Sequence, residues 1–350
     1  MKRNILLWIG VLSSALFLYV ALRDIAFGHF AQTLAQVDLV PVAASFAVLL
    51  AIYVVRTVRW RIIILAGREV SVWQTFSILM IGFFANNVLP ARAGEFVRAF
   101  LLRREIQVKK SFALGTILVE RTSDLVVLMG LLLLALYRFP EETLPPLVAE
   151  VRRVALVLLA LIVVGMVVLL QARRWVVRWI ERVLGWMMPG RAAAVVASKF
   201  DDFARGLEVL RSPYGLTATM VLSVALWGAM TFIFYLIMEA FHFNQPMAVA
   251  ALTVALVNLG MIVPSSPGYV GTYEFFILKS LGAFGIPGGA ALAFVLVTRI
   301  QWYVFETIVG FLCLWYSHLN IRQLFRISRE DEDASSQVPE EPSVDLPATV

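Results

Sequence analysis

The sequence predicts an all-α polytopic membrane protein. Of its 350 residues, 60% are hydrophobic and only 15% are charged, and the mean hydropathy is +0.83, which fits a helical membrane protein. The apolar runs are long and continuous, whereas the strands of a transmembrane barrel would be short and alternating. Two apolar runs are interrupted by Pro and Gly in the same manner, which predicts broken helices in two halves of the chain. We therefore predict six full spans and two oppositely oriented re-entrant hairpins in an inverted repeat.

Six apolar runs are long enough to cross a bilayer. They lie near 5–22, 40–58, 112–136, 152–171, 214–240 and 290–316. The first run follows Lys2 and Arg3, as in a signal peptide. No clean cleavage site comes after it, so we predict an uncleaved first helix.

Basic loops mark the cytoplasmic side of a membrane protein. Segments 56–72 and 98–110 are both rich in Arg or Lys, so both are predicted to be cytoplasmic loops. The apolar arm between them, 76–89, is too short to span comfortably. The sequence therefore predicts a hairpin over 73–102 that enters from the cytoplasm and returns to it.

The second half repeats this order with the opposite orientation. Residues 137–150 carry Glu141, Glu142 and Glu150 against the single Arg138, and residues 241–246 lack Lys and Arg, which favours the outer face for both. The basic segment 172–213 and the C-terminus are predicted to be cytoplasmic. The broken block 247–284 then forms a hairpin that enters from outside. The alternative makes each hairpin arm a plain helix and gives about ten spans, because short apolar runs are ambiguous.

These boundaries divide the chain into three parts. Residues 1–136 form the first membrane repeat, residues 137–320 the second, and residues 321–350 a polar tail that we expect to be disordered. Within the second repeat, Trp and Arg recur at helical spacing on opposite faces. They predict cytoplasmic interfacial helices over 173–211, which would serve as a structural anchor or as a platform that loads lipid.

The composition also excludes several classes of function. The net charge of +6 and the pI of about 9.6 could suit nucleic acid, but the basic residues cluster beside apolar runs. The single cysteine, Cys313, and three scattered histidines show no metal-ligand spacing. No nucleotide-binding or nucleophile-elbow motif is present. We predict no nucleic-acid partner, no cofactor, no metal and no soluble catalytic domain.

Charged residues interrupt the third full span near its middle. Glu120 and Asp124 lie four residues apart on one helical face, where two carboxylates repel unless they meet a cation or share a proton. Arg121 can supply that cation, and Arg92 or Arg98 from the first hairpin can supply another. The cluster is then a structural ion-pair network that pins the hairpin to the span, a site for an anionic headgroup, or both.

The second broken block offers a similar set. Arg299 and Glu306 share a face two turns apart, and Glu274 is the predicted partner of Arg299. Arginine is the better phosphate ligand because its planar fork bonds two oxygens. Glycine in a turn lets backbone N–H groups approach a ligand. The predicted substrate-binding residues are Asn86, Asn87, Arg92, Glu95, Arg98, Glu120, Arg121, Asp124, Ser265, Ser266, Gly268, Gly271, Glu274, Arg299 and Glu306. The predicted turn residues are Pro90, Gly94, Pro264 and Pro267.

Several motifs follow one another in a fixed order along the chain. They are Arg59-Trp60-Arg61, Asn87-x-x-Pro90-x-Arg92-x-Gly94-Glu95-x-x-Arg98, Glu120-Arg121-x-x-Asp124, Pro264-Ser265-Ser266-Pro267-Gly268-x-x-Gly271-x-x-Glu274 and Arg299. Together, over roughly residues 40–316, they resemble the lysylphosphatidylglycerol synthase transmembrane family, the flippase-like membrane domain of the bacterial multiple peptide resistance factor.

The resemblance implies that the membrane domain moves aminoacylated lipid between leaflets while a separate soluble domain performs the aminoacyl transfer. Only a short polar tail follows residue 316, so we expect no synthase activity from this chain. Tyr269 stands where the family often has a second glycine, which predicts a different pocket width.

The leading functional prediction is a transporter that moves a phospholipid or lipid-linked phosphate between the leaflets of a bacterial inner membrane, with both termini in the cytoplasm. One alternative is a membrane-embedded transferase that uses the buried carboxylates as acid and base. The other is a non-catalytic membrane partner of a separate lipid synthase. The expected partners are anionic or phosphate-bearing membrane lipids, with a homo-oligomer or a lipid-modifying enzyme as compatible protein partners.

Overall fold

The computed structural model is dominated by long helices. It describes residues 12, 15–23, 27–65, 69–89, 93–138, 146–171, 202–262 and 266–317. The helices are α1 (Phe27–Ala35), α2 (Leu39–Leu65), α3 (Val72–Val88), α4 (Gly94–Ile106), α5 (Lys110–Tyr137), α6 (Pro146–Gln171), α7 (Pro213–Ala240), α8 (Met247–Gly260), α9 (Thr272–Ala283), α10 (Gly288–Arg299) and α11 (Phe305–Tyr316). Short 3-10 turns cover Glu208–Arg211 and Pro267–Tyr269, and a π-helical turn, Ile300–Val304, joins α10 to α11.

Three helical stretches of the described chain are long and apolar enough to cross a membrane. They are Leu39–Leu65, Pro213–Ala240 and Gly288–Tyr316. Helix α5 is equally long but carries charged side chains near its middle. The prediction of an all-helical membrane protein is confirmed, whereas the count of six spans stays a prediction.

The predicted cytoplasmic loop at 56–72 is wrong at its start. Helix α2 continues to Leu65, and the side chains of Arg56 and Arg59 are buried within the protein. Apolar residues flank both arginines on the helix, so the segment can bury one face against neighbouring helices. These two arginines therefore belong to the interior of the molecule and carry no information about which side a loop faces.

Each broken block forms two helices. The first consists of α3 and α4, and α3 begins with a capping box in which Ser71 and Gln74 bond each other's backbone. The second consists of α8 and α9. Helix α3 has 17 residues and α8 has 14, so they extend about 25 Å and 21 Å, less than the hydrocarbon thickness of about 30 Å. These lengths fit re-entrant hairpins, and their orientation stays a prediction.

Helix packing is reciprocal between the two halves of the chain. Helix α2 packs most extensively against α7, the corresponding helix of the second half. Helix α3 packs against α11, and α8 packs in the same way against α5. Each hairpin therefore rests on the last long helix of the other half. A pair of repeats related by two-fold symmetry would produce this exchange of contacts.

The proposed interfacial segment is described only at its end. Residues 172–201 and the tail from 318 lie outside the described residues, as does most of the first predicted span. Leu207 and Leu210 are buried, and Gly206 lies directly against Gly115 of α5. Lys109 forms an ion pair of 2.7 Å with Asp202. The described end of this segment is therefore packed onto α5.

Candidate functional site

A buried ion pair joins α2 to α5. The Arg59 guanidinium donates to both carboxylate oxygens of Asp124, through Nη1 to Oδ1 and, at 3.2 Å, through Nη2 to Oδ2. Its Nη2 also lies 3.6 Å from Oε1 of Glu120. The Arg59 and Glu120 side chains are fully buried. The sequence assigned the neutralising role to Arg121, but Arg59 makes the closest contact with Asp124.

Arg98 neutralises the second carboxylate of α5. Its Nη2 lies 2.5 Å from Oε2 of Glu120, and its Nη1 donates to Oε1 at 3.4 Å. The guanidinium also stacks 4.1 Å from the ring centroid of Trp60. Gly82 makes room for the Arg98 chain, since a Cβ there would overlap the Arg98 methylenes. This pair attaches the second arm of the first hairpin to α5, as one of the two readings of the sequence predicted.

Helix α7 completes this buried network with neutral donors and acceptors. Arg59 Nη1 donates to Oγ of Ser223 at 2.7 Å, and Nε1 of Trp227 donates to Oδ1 of Asp124 at 2.9 Å. Two arginines and two carboxylates cancel each other's formal charge. A buried pair is tolerated when its remaining lone pairs are satisfied, so this network is suited to holding four helices in register.

Arg121 has a different partner from the one predicted. Its Nε lies 2.8 Å from Oε1 of Glu95, in the first turn of α4, although the angle does not make this an aligned hydrogen bond. Both side chains keep about a third of their surface exposed, at 38% and 33%. The turn before Glu95 is held by Asn86, whose Oδ1 accepts from the Gly94 N–H at 2.9 Å.

The predicted pair between Arg299 and Glu274 is confirmed. Nη2 of Arg299 lies 2.6 Å from Oε1 of Glu274, and its Nε donates to the same oxygen at 3.0 Å. Its Nη1 donates to the carbonyl oxygen of Gly268 at 2.6 Å. The other carboxylate oxygen of Glu274 accepts from the Gly271 N–H at 2.6 Å and so caps α9. One arginine thus ties the turn of the second hairpin to the start of its second arm.

These two pairs occupy corresponding places in the two halves. Glu95 lies in the first turn of α4 and Glu274 in the first turn of α9, each just after the break in its hairpin. Each bonds an arginine of the following long helix, Arg121 or Arg299. The two halves of the chain therefore share this arrangement of side chains as well as the arrangement of helices, as an inverted repeat would require.

A third group of polar residues lies around the π-helical turn. The Tyr53 hydroxyl donates to Oε1 of Glu306 at 2.8 Å. Nδ2 of Asn87 donates to Oγ1 of Thr307 at 3.3 Å, and the hydroxyl of Tyr303 donates to the Asn87 carbonyl at 3.3 Å. π-Helical turns are frequent at functional sites because they change which side chains share a face.

These groups surround one cavity of about 410 Å³ between the two hairpins. Its charged and amide lining residues are Arg56, Asn86, Asn87, Glu95, Arg121, Asp124, Asn258, Arg299 and Glu306. The rest of the wall is largely aromatic and aliphatic and includes Trp227, Tyr269, Tyr273, Trp302 and Tyr303. A mainly apolar wall with a few converging charges is typical of a ligand pocket.

Eight of the predicted substrate-binding residues line this cavity: Asn86, Asn87, Glu95, Arg121, Asp124, Gly268, Arg299 and Glu306. Arg98 and Glu120 are buried behind the wall, and Glu274 supports Arg299. Gly271 caps α9, and the Ser266 side chain donates to Val270 O at 3.3 Å. Pro90, Arg92, Pro264 and Ser265 lie outside the described residues.

The backbone explains why glycine would suit position 269. Tyr269 has φ of +58°, a left-handed conformation that costs a non-glycine residue about 1 kcal/mol or more. Gly268, with φ of +68°, adopts it without that cost. Tyr269, at the position where the resemblance implies a glycine, lines the cavity. Tyr269 therefore stands where its side chain can affect the width of the pocket, as predicted from the sequence.

Sequence reasoning missed the roles of three interior residues of α2, Tyr53, Arg56 and Arg59. Arg56 was interpreted as part of a basic loop, and Tyr53 carried no motif. Their separation by three residues, together with Trp60 one turn further along, is the helical spacing that could have placed them on one buried face. No cluster of three or more potential metal ligands exists among the residues that the structure describes.

Comparison with known proteins agrees with the family that the sequence motifs resemble. The family model described as lysylphosphatidylglycerol synthase TM region matches residues 7–310. A UPF0104 membrane protein of Methanocaldococcus jannaschii is 20% identical, over 86% of this chain and 92% of its own length. A UPF0104 membrane protein of Methanothermobacter thermautotrophicus is 26% identical, over 78% and 82%. Glycosyltransferase AglD of Haloferax volcanii is 26% identical over 88% of this chain but only 54% of that protein. No solved structure matches.

Proposed function

The chain belongs to the lysylphosphatidylglycerol synthase transmembrane family, and from that premise we propose that it is an integral membrane transporter that moves a phospholipid or lipid-linked phosphate between leaflets. The observation that carries the proposal is the cavity, which has three arginines in its wall and lies between two broken hairpins. Broken helices in corresponding positions of two repeats are typical of transport sites.

The chemistry of the cavity suits a lipid headgroup. Its volume falls within the range of roughly 300–1,000 Å³ that is usual for small-molecule sites. Arginine binds phosphate oxygens through a planar fork, and the aromatic wall offers apolar contact to the glycerol and upper acyl region. The acyl chains would remain in the bilayer while the headgroup occupies the cavity. The charged network behind the wall supports this use because it holds four helices around the cavity.

A lipid-leaflet assay tests the proposal. The full chain is reconstituted into phosphatidylethanolamine–phosphatidylglycerol vesicles that contain a fluorescent phosphatidylglycerol, and an impermeant reductant bleaches the outer leaflet. We expect the reductant also to bleach fluorescent lipid that began in the inner leaflet, because the protein moves it to the outer leaflet. In protein-free vesicles the fluorescence of the inner leaflet should persist. Vesicles with folded protein that retain the same signal as protein-free vesicles would refute transport by the chain alone.

A second function is favoured by one comparison. The chain matches 54% of a protein named glycosyltransferase, which suggests that a membrane region of this kind can accompany a transferase in one polypeptide. The chain would then be a non-catalytic membrane partner of a separate lipid-modifying enzyme. If the vesicle assay stayed negative until such an enzyme was added, this second function would replace the first.

The membrane location follows from the family and the apolar helices. The relatives named above are archaeal, so they lend no support to a specifically bacterial membrane. We propose the cytoplasmic membrane, with both termini on the cytoplasmic side.

A further inference from the structure

Arg56 is a buried cation of α2 that lines the cavity. Only 9% of its surface is exposed, and its Nε is buried without a hydrogen-bond partner. Among the residues that the structure describes, it forms no ion pair. Its guanidinium lies 5.2 Å from the ring centroid of Phe83 and contributes to the cavity wall. A buried arginine without a direct counter-ion is costly, so an anion bound at its guanidinium would lower that cost.

The other two arginines of the cavity are already engaged. Arg121 lies 2.8 Å from Glu95, and Arg299 lies 2.6 Å from Glu274. An anion could bind either of them only in competition with its carboxylate. Arg56 is therefore the cation of this cavity with the most hydrogen-bonding capacity left for a ligand.

One carboxylate stands close enough to limit what Arg56 can bind. Glu306 lines the same cavity and lies within electrostatic reach of Arg56. Its hydrogen-bond partners are neutral: the hydroxyl of Tyr53, which donates at 2.8 Å, and the side-chain amide of Asn87. The remaining charged groups of the wall are Glu95, Arg121, Asp124 and Arg299, each with a direct partner of opposite charge. A ligand at Arg56 therefore meets Glu306 as a nearby carboxylate that has no ion-pair contact with a described cation and that Arg56 offsets only at longer range.

We propose that Arg56 is the phosphate ligand of this cavity and that Glu306 restricts it to a phosphate bearing one negative charge, as in a phosphodiester lipid. The inference rests on the proposed transport of a phosphate-bearing lipid and assigns the residue that recognises the headgroup. Repulsion from Glu306 disfavours a second negative charge on the ligand, whereas the guanidinium fork can bond two oxygens of a phosphodiester. Asn87 and Tyr303, which also line the cavity, are placed to contact the rest of the headgroup.

Binding to the full chain in detergent tests this directly and does not depend on transport. Isothermal titration would use dihexanoyl phosphatidylglycerol as the monoanion, dihexanoyl phosphatidic acid at about pH 8 as the near-dianion, and inorganic phosphate as the free anion. The second pKa of a phosphomonoester is about 6, so its second charge is present at that pH. We expect the wild type to bind phosphatidylglycerol more tightly than either of the other two.

Matched variants separate recognition from folding. Arg56→Gln should weaken phosphatidylglycerol binding by about tenfold or more, the value of one charge-assisted hydrogen bond. Arg103→Gln removes an exposed arginine in the last turn of α4 and should leave binding unchanged. Glu306→Gln should increase affinity for phosphatidic acid relative to phosphatidylglycerol. Thermal unfolding of each variant in detergent shows whether it is folded.

Each outcome decides a specific point. A folded Arg56→Gln variant that binds phosphatidylglycerol as the wild type does would overturn the assignment, even if the protein moves lipid in vesicles. If inorganic phosphate bound as tightly as phosphatidylglycerol, the ligand would be free phosphate and not a lipid. If Glu306→Gln kept the wild-type preference for phosphatidylglycerol over phosphatidic acid, Glu306 would not restrict the charge of the ligand. Arg56-dependent binding without lipid movement would leave the subsite standing and refute transport.

Discussion

Arg59 and Asp124, which are 65 residues apart in sequence, form a two-point ion pair between α2 and α5. One helical turn earlier on α2, Arg56 lines the cavity without an ion pair among the described residues. Two arginines on one helix thus differ in their counter-ions: Arg59 contacts Asp124 directly, whereas Glu306 acts on Arg56 only at longer range. This contrast provides a direct test of which buried charges hold the fold together.

Arg59→Met should destabilise the protein strongly, because it leaves Asp124 buried without its ion-pair partner and beside Glu120, which only Arg98 then neutralises. Breaking a buried pair of this kind costs roughly 3–5 kcal/mol. Arg56→Met removes a buried charge that has no direct partner and should change stability little or increase it. The measurement is thermal or denaturant unfolding of both variants in the same detergent. Equal losses of stability would show that the two arginines have equivalent roles.

The turn of the second hairpin should be sensitive to a single methyl group at Gly268. Gly268 has φ of +68°, and an added Cβ would come within 2.8 Å of the Tyr303 ring. Gly285 has φ of +78° with no atom within 4 Å of such a Cβ. Both alanine variants carry the same backbone strain, so the difference between them reports the contact with Tyr303. We expect Gly268→Ala to impair lipid movement and Gly285→Ala to retain it. Equal activity in both would mean that the turn is only a bend.

The corresponding pairs Glu95–Arg121 and Glu274–Arg299 should affect transport more than stability. Arg121 is 38% exposed, so solvent screening reduces the energetic cost of losing its partner. Glu95→Gln and Glu274→Gln keep the size of each side chain but free the arginine from its partner. We expect each to slow lipid movement several-fold in vesicles while the unfolding temperature changes little. A large loss of stability without an effect on transport in the surviving folded fraction would make the pairs purely structural.

The orientation of the first hairpin can be tested by labelling. On a Cys313→Ser background, single cysteines at Glu69 and Gln107 would flank α3 and α4 at exposed positions. If this hairpin is re-entrant, both cysteines should react with an impermeant thiol reagent from the same side of an oriented membrane. Reaction from opposite sides would mean that the two arms cross the membrane, and the inverted repeat would then be wrong.

The positions of the two hairpins and most long helices could be predicted from the sequence because their signals are local. Apolar length defines α5 and α7, and Pro and Gly mark both breaks, since neither continues a helix easily. The pair between Glu274 and Arg299 was also predictable, because both residues belong to the same hairpin and its following helix. Glu95 and Arg121 are placed in the first half as Glu274 and Arg299 are in the second. The predicted inverted repeat would therefore have predicted the Glu95–Arg121 pair as well.

The sequence alone therefore determined that this is a helical membrane protein with two similar breaks and an interior rich in arginine and carboxylate. Only the tertiary structure decided which arginine serves which carboxylate. Asp124 could reach Arg121 on its own helix but pairs with Arg59 of α2, and Arg56 is left facing the cavity. The physical reason is that Coulomb energy and hydrogen bonding depend on distances between helices that are remote in sequence, whereas periodicity specifies only the face of each helix.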